Sequence, residues 1–215
     1  MVTIKFFTNG GFGENTYILS DESKSCIIID PGCYQKVEEE DIKNYIEENN
    51  LKVEKIVNTH CHIDHVLGNY AMKKAYDVPI YIPENELEVL RSVPAYAPMW
   101  GFPAYQPQEP DVLIKREEKT IEFGNTSLEI LYVPGHAPGH LAYYHKEEKF
   151  CINGDVLFRM SVGRTDLPGG NHSQLMDSIR NVMYQLPDDV TVYCGHGDET
   201  TIGFEKKHNP FCRVN

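Results

Sequence analysis

The chain has 215 residues, enough for one sizeable core, and carries 20 basic against 32 acidic side chains for a net charge of −12. So acidic a balance argues against non-specific binding to nucleic acid or to anionic membrane surfaces and leaves a small molecule as the expected partner. No run approaches the ~20 apolar residues of a membrane span, the N-terminus lacks signal-peptide character, and six cysteines are scattered without a C-x-x-C pair. A cytoplasmic protein with reduced, core-packed thiols is expected.

In chain order, Thr3 to Phe7 and Thr16 to Ser20 are predicted strands flanking a glycine-rich turn, and Cys26 to Asp30 is a third, buried run closed by Pro31-Gly32. Gln35 to Asn49 sets Val37, Ile42, Tyr45 and Ile46 among charges at helical spacing, and the strand Lys55 to Asn58 follows. A helix from Val66 to Tyr76, a short strand Pro79 to Ile82 and a helix opened by Pro83-Glu84 complete the first half. Ser92 to Asp111 holds five prolines and Trp100, the single tryptophan. It is too apolar for a flexible linker, so a packed loop at the mouth of the site is expected. The second half predicts strands at Thr120 to Phe123, Ser127 to Val133, Leu141 to His145 and Lys149 to Ile152. A helix from Ser173 to Gln185 and a strand at Val190 to Cys194 close it. Strands in two runs with helices between them imply two sheets packed face to face, helices outside.

Chemistry concentrates in Asn58 to Asn69, N-T-H-C-H-I-D-H-V-L-G-N, where His60, His62, Asp64 and His65 fall within six residues. Alternation along an extended segment points His60 and His62 to one side and Cys61 to the other, which provides two ligands for one metal. Asp64 and His65, at the start of a helix, suit a second ion, at the roughly 3.5–4 Å separation of two-metal sites. Further candidates stand at predicted strand ends: His136 in P-G-H-A-P-G-H, Asp155 in I-N-G-D and His196 in C-G-H-G. Each follows a glycine, which lets the chain turn sharply and direct the ligand inward. His140 is expected behind the ligands, and His145, His172 and His208 at the surface or in packing.

The pattern T-H-C-H-I-D-H, P-G-H, G-D and G-H-G, in that order, resembles the metallo-β-lactamase-fold hydrolases. Within them the chain is similar to the short, single-domain relatives of the glyoxalase II (hydroxyacylglutathione hydrolase) group. G-F-G-E-N-T-Y, Ile29-Asp30-Pro31-Gly32, Val162-Gly163-Arg164-Thr165-Asp166 and T-I-G-F-E-K-K-H-N-P-F carry that closer likeness. The resemblance implies an α/β, four-layer αββα sandwich of two mixed sheets, and one domain over residues 1–215 without the helical domain that contacts glutathione. It implies one ion on His60, His62 and His136, a second on Asp64, His65 and His196, and Asp155 bridging them. Zinc is the first expectation for the two divalent ions, with iron or manganese also suited to the donors. The reaction implied is hydrolysis of an acyl thiolester by hydroxide held between the ions, with Asp64 orienting the nucleophile and Arg164 either near the substrate or in an ion pair with a carboxylate such as Asp166. V-G-R-T-D also resembles the persulfide dioxygenases, which use one iron held by two histidines and an aspartate. A metal-binding scaffold without catalysis is the third reading.

Overall fold

The computed structural model describes residues 1–214. Cα packing groups them into two compact units: Met1–Lys115 with Glu122–Thr126, and Arg116–Ile121 with the chain from Ser127 onward.

The first unit runs β1 (Thr3–Asn9), β2 (Glu14–Ser20), β3 (Ser25–Ile29), α1 (Lys36–Glu48), β4 (Lys52–Val57), α2 (Ile63–Val66), α3 (Asn69–Tyr76), β5 (Ile80–Pro83), α4 (Leu87–Tyr96) and β6 (Val112–Ile114). Its sheet has the order β1-β2-β3-β4-β5-β6. Short turns make β1 to β3 an antiparallel meander, and the helical crossovers then force β3, β4, β5 and β6 to run parallel. The carboxyl ends of β3, β4 and β5 therefore share one edge with the amino end of β2.

Register places Ile18, Ile28, Ile56 and Ile80 side by side across four strands. They pack with Ile42 and Ile46 of α1, Met72 of α3 and Leu90 of α4. Each such side chain, fully buried, contributes about 1.5–3 kcal/mol. Their neighbours Leu19, Ile27, Ile29 and Val57 are equally buried, so the central strands are apolar on both faces. The N-terminus of α1 is held by Glu38, whose carboxylate accepts the Gln35 and Tyr34 amides. Val37, counted with the apolar face of this helix, is exposed.

Two expectations shift. The helix predicted from Val66 starts at Ile63 and is broken at Gly68. There a Cβ would strike Cys33 Sγ and lie 2.9 Å from the Pro31 carbonyl, so only glycine allows this approach. The irregular stretch from Ser92 begins as helix: α4 continues through Pro94 to Tyr96, and 97–100 form a 3-10 turn. Leu90, Val93 and Ala97 keep helical spacing on the buried face. That burial outweighs the ~3 kcal/mol cost of an internal proline. The remainder packs as expected within its own unit. Phe102 stacks on Phe12 of the glycine-rich turn (5.5 Å) and meets Tyr34 edge-on (4.9 Å), while Trp100 lies 5.7 Å from Phe12.

The second unit takes up β7 (Thr120–Phe123), β8 (Thr126–Tyr132), β9 (Leu141–His145), β10 (Phe150–Gly154), the hairpin β11 (Leu157–Phe158) and β12 (Ser161–Val162), α5 (His172–Asn181), β13 (Thr191–Cys194), β14 (Thr200–Thr201) and α6 (Ile202–His208). The tip of the β7–β8 hairpin groups with the first unit. Sheet order is β14-β13-β10-β9-β8-β7, also mixed: β8, β9 and β10 alternate, and α5 carries the chain over to β13 parallel to β10. Leu175 and Ile179 of α5 pack on Ala142, Cys151 and Val192. Asn171 caps α5 by accepting the Gln174 amide, and Thr201 caps α6 by accepting that of Phe204. Two mixed sheets with helices make this an α/β fold. Among the described residues no cysteine is in a disulfide and no helix is long and apolar enough to cross a membrane.

Candidate functional site

In the first unit all four donors follow β4. Asn58 N–H still donates to Tyr81 O of β5 at 2.9 Å, after which the chain leaves the sheet in an extended path to His62, the N-cap of α2. The ring centroids of His60 and His62 lie 4.7 Å apart, and His65, on the first turn of α2, brings its ring to 4.1 Å from that of His60. Asp64 Oδ2 is 3.8 Å from His65 Nε2. Cys61 points the other way, fully buried in the core; burial and then the charge of Glu86 push its thiol up, which argues against a thiolate ligand.

The rings are aimed by what their other nitrogen touches. Thr59 Oγ1 lies 3.0 Å from His60 Nδ1, and Asp30 Oδ2 lies 3.0 Å from His65 Nδ1. Both contacts make Nε2 the nitrogen that could hold a metal ion. Asp30 also accepts the Thr59 amide (2.7 Å) and hydroxyl (2.6 Å). It does so from a left-handed backbone (φ 50) at the end of β3, its own N–H donating to Val57 O. Asp30, His60 and His65 offer donor atoms within 4.8 Å of one another, but with its oxygens engaged in this way Asp30 braces the ligands. Glu14 lies fully buried at the amino end of β2, where burial raises its carboxyl well above the usual range against the opposing pull of His65. A Cβ at Gly32 would collide with Glu14 Oε2, so glycine makes room for that side chain.

In the second unit the three donors come from remote positions. β10 and β13 are parallel neighbours and β8 runs with them, so Asp155, His196 and the loop bearing His136 emerge at one sheet edge. Asp155 Oδ2 lies 3.5 Å from His136 Nε2 and 3.4 Å from His196 Nε2. These separations are long for hydrogen bonds. They match two donors sharing one tetrahedral ion, which at about 2.1 Å each stand about 3.4 Å apart. His136 Nδ1 donates to the Arg164 carbonyl at 2.7 Å, and the Asp155 amide donates to His140 Nε2 at 3.1 Å. His140 is thereby the neutral tautomer with its proton on Nδ1, behind the ligands as expected. A Cβ at Gly163 would strike the Asp155 carbonyl. Of the glycines preceding ligands, Gly135 (φ 133) and Gly154 (φ 51) adopt positive φ; beside His196 it is the following residue, Gly197 (φ 71), that does so.

Each unit thus gathers its share of the predicted ligands: His60, His62, Asp64 and His65 in one, His136, Asp155 and His196 in the other. The imidazole nitrogens and carboxylate oxygens of each set suit a borderline divalent cation. Arg164 forms the ion pair with Asp166 that is one of its two expected roles. Its guanidinium is exposed and forms two 2.7 Å bonds to Asp166, and its contribution to the donors is the backbone carbonyl that holds His136. Glu86 carries no signal in the sequence that separates it from ordinary polar residues, and Thr59 and Glu14 stand only as members of quoted motifs. Asp30 is visible only as part of a motif. Burial and then the charge of Asp64 push the Tyr96 hydroxyl up to about 12, and α4, which Tyr96 ends, packs on α2, the helix of Asp64 and His65.

The Metallo-beta-lactamase superfamily model matches residues 9–196. Hydroxyacylglutathione hydrolase GloC of Haemophilus influenzae is 37% identical over 201 residues, covering 93% of each chain. Among solved structures, the BLEG-1 B3 metallo-beta-lactamase superposes with a TM-score of 0.89 at 34% identity, covering 97% of this chain and 99% of its own. TTHA1623 in a di-iron-bound form gives 0.84 at 34%, covering 96% and 99%. ETHE1 from Myxococcus xanthus gives 0.79 at 25%, covering 97% and 83%. The match runs across most of the chain and takes in every predicted ligand from His60 to His196, so this protein belongs to the metallo-β-lactamase superfamily of metal-dependent hydrolases.

Proposed function

We propose that the protein is a binuclear metal-dependent hydrolase of acyl thiolesters, with S-lactoylglutathione or a related compound as substrate. The observation that carries the reading is Asp155, whose single oxygen Oδ2 stands at shared-ligand distance from both His136 and His196 (3.5 and 3.4 Å). His60, His62 and His136 would hold one ion and Asp64, His65 and His196 the other, Asp155 serving both; zinc fits, as do iron and manganese. When bound, two such ions lower the pKa of a shared water to near neutrality and polarise a carbonyl oxygen. The chain's own part is orientation. Asp30 and the Arg164 carbonyl fix the tautomers of His65 and His136, and His140 fixes the Asp155 backbone. Asp64, whose side chain is 16% exposed while that of His65 is fully buried, is placed to accept a proton from an attacking water and orient it. A thiolate is a good leaving group and needs little proton donation, which suits a donor set that includes no separate general acid.

The family match, residues 9–196, reaches into both compact units, and in our reading residues 1–215 are one functional domain that acts in the cytoplasm on a small acyl substrate, without nucleic acid or membrane. The relative named hydroxyacylglutathione hydrolase supports the thiolester class. A second reading, a mononuclear-iron persulfide dioxygenase, is favoured by the likeness to ETHE1. Anaerobic incubation with S-lactoylglutathione separates the two: release of thiol supports the hydrolase. Oxygen uptake with glutathione persulfide and no anaerobic thiol release would replace it with the dioxygenase. A β-lactam assayed in parallel tests the activity named for BLEG-1.

A further inference from the structure

We infer that Glu86 is a positioning residue for the metal ligands, holding the backbone amide between His60 and His62 and so setting the direction of both rings. The inference rests on the reading above that these two histidines ligate metal. Glu86 ends a 3-10 turn, 84–86, directly after β5, which is the parallel neighbour of β4. Its side chain is fully buried and Oε2 accepts the Cys61 N–H at 3.0 Å. The position of that bond gives it meaning. The last sheet bond of the β4 segment is Asn58 N–H to Tyr81 O, and beyond it the ligand segment has left the ladder. Two amides that follow are taken by carboxylates from the strands on either side: Thr59 N–H by Asp30, at the end of β3, and Cys61 N–H by Glu86, after β5. The peptide joining His60 to Cys61 is thereby fixed, and with it the alternation that turns His60 and His62 together and sends Cys61 into the core.

A packing role alone would be filled as well by an apolar side chain, because a buried carboxylate carries a desolvation penalty of several kcal/mol. An oxygen of the right reach is what the Cys61 amide requires. Glu86→Gln keeps the reach and the acceptor oxygen but removes the charge, whereas Glu86→Asp keeps the charge and falls one methylene short. Three measurements on the full chain distinguish them: Zn²⁺ affinity by chelator competition, the visible spectrum of the Co²⁺-loaded protein, and hydrogen exchange of the Cys61 amide without metal. Glu86→Asp is expected to weaken Zn²⁺ binding about 10–100-fold, to change the Co²⁺ spectrum and to speed Cys61 exchange. Glu86→Gln is expected to keep all three near wild type. Should the Asp chain not fold, Glu86→Met removes acceptor and charge at similar volume and is expected to show the same losses. Wild-type behaviour in the Asp or Met chain, or equal losses in the Gln chain, would overturn the inference. A wild-type protein that binds neither Zn²⁺ nor Co²⁺ would instead overturn the functional reading, and the metal-free exchange rates would still decide the role of Glu86.

Discussion

In the first unit four donors lie between positions 60 and 65, on a segment held by carboxylates from its neighbours in the sheet; in the second, three donors are spread from 136 to 196, where a backbone carbonyl holds His136 and the His140 ring holds the Asp155 amide. Asp30 and Glu86, from the strands flanking β4, hold the short ligand segment. His136 is oriented by a carbonyl, and Asp155 through its own amide. A cluster built from one loop starts with proximity and lacks direction, so buried carboxylates supply the direction. Asp155 and His196, at the ends of the neighbouring parallel strands β10 and β13, receive their proximity from the sheet. Their weak point is then the fit of glycine against the chain.

The sharpest way to break this comparison is Asp155→Asn, which spares the fold but weakens the oxygen that faces both His136 and His196. Thiolester turnover should fall about a thousandfold or more, the several kcal/mol that lost charge stabilisation represents. Elemental analysis should show fewer than two ions per chain. Full loading with full activity would remove Asp155 from the centre of the site.

Next in size is the contrast between Asp30→Ala and Gly163→Ala. Removing the Asp30 carboxylate should cost about 10–100-fold in metal affinity through His65, measured by chelator competition. Gly163→Ala must displace the Asp155 carbonyl. It should therefore lose about 1–3 kcal/mol in urea unfolding as well as metal. A Gly163→Ala protein with wild-type metal affinity would show that the second unit's donors do not depend on backbone fit.

Glu14 sharpens the first half of the comparison through pH. Its folded carboxyl is raised, by burial above all, over the ordinary value of 4.5. Above that pH the unfolded chain releases a proton that the folded chain keeps, so metal-free stability should decline as pH rises toward the folded pKa. Glu14→Gln cannot titrate. Its metal-free melting temperature should stay flatter between pH 5 and 7 and end a few degrees higher, at about 2–4 °C per kcal/mol for a chain of this size. Parallel pH profiles for the two proteins would show that Glu14 is not held protonated.

The smallest expected effect is optical. Trp100 is half exposed against Phe12, just after α4, which packs on the α2 helix that carries Asp64. A product or inhibitor bound at the first unit's donors should shift its emission. An unchanged spectrum at a ligand concentration that blocks turnover would place the loop's aromatic face away from the substrate.

By itself the sequence marked the candidate donors and their order, because His and Asp offer metal-ligating atoms and the T-H-C-H-I-D-H run states its own geometry through strand alternation. It also determined most strands and α1, where apolar periodicity is strong. It could not show that Pro94 lies inside a helix, since burial of Leu90, Val93 and Ala97 decides that against local preference. Nor could it show that Arg164, one of whose two expected roles is the ion pair with Asp166, also serves His136 through its backbone carbonyl. Tertiary structure alone decided which carboxylates stand behind the ligands. Nothing local in the sequence gives Asp30, Glu14 or Glu86 that role. Only the order β2-β3-β4-β5 brings their strand ends to one buried edge, where an acid without a partner would be too costly to keep.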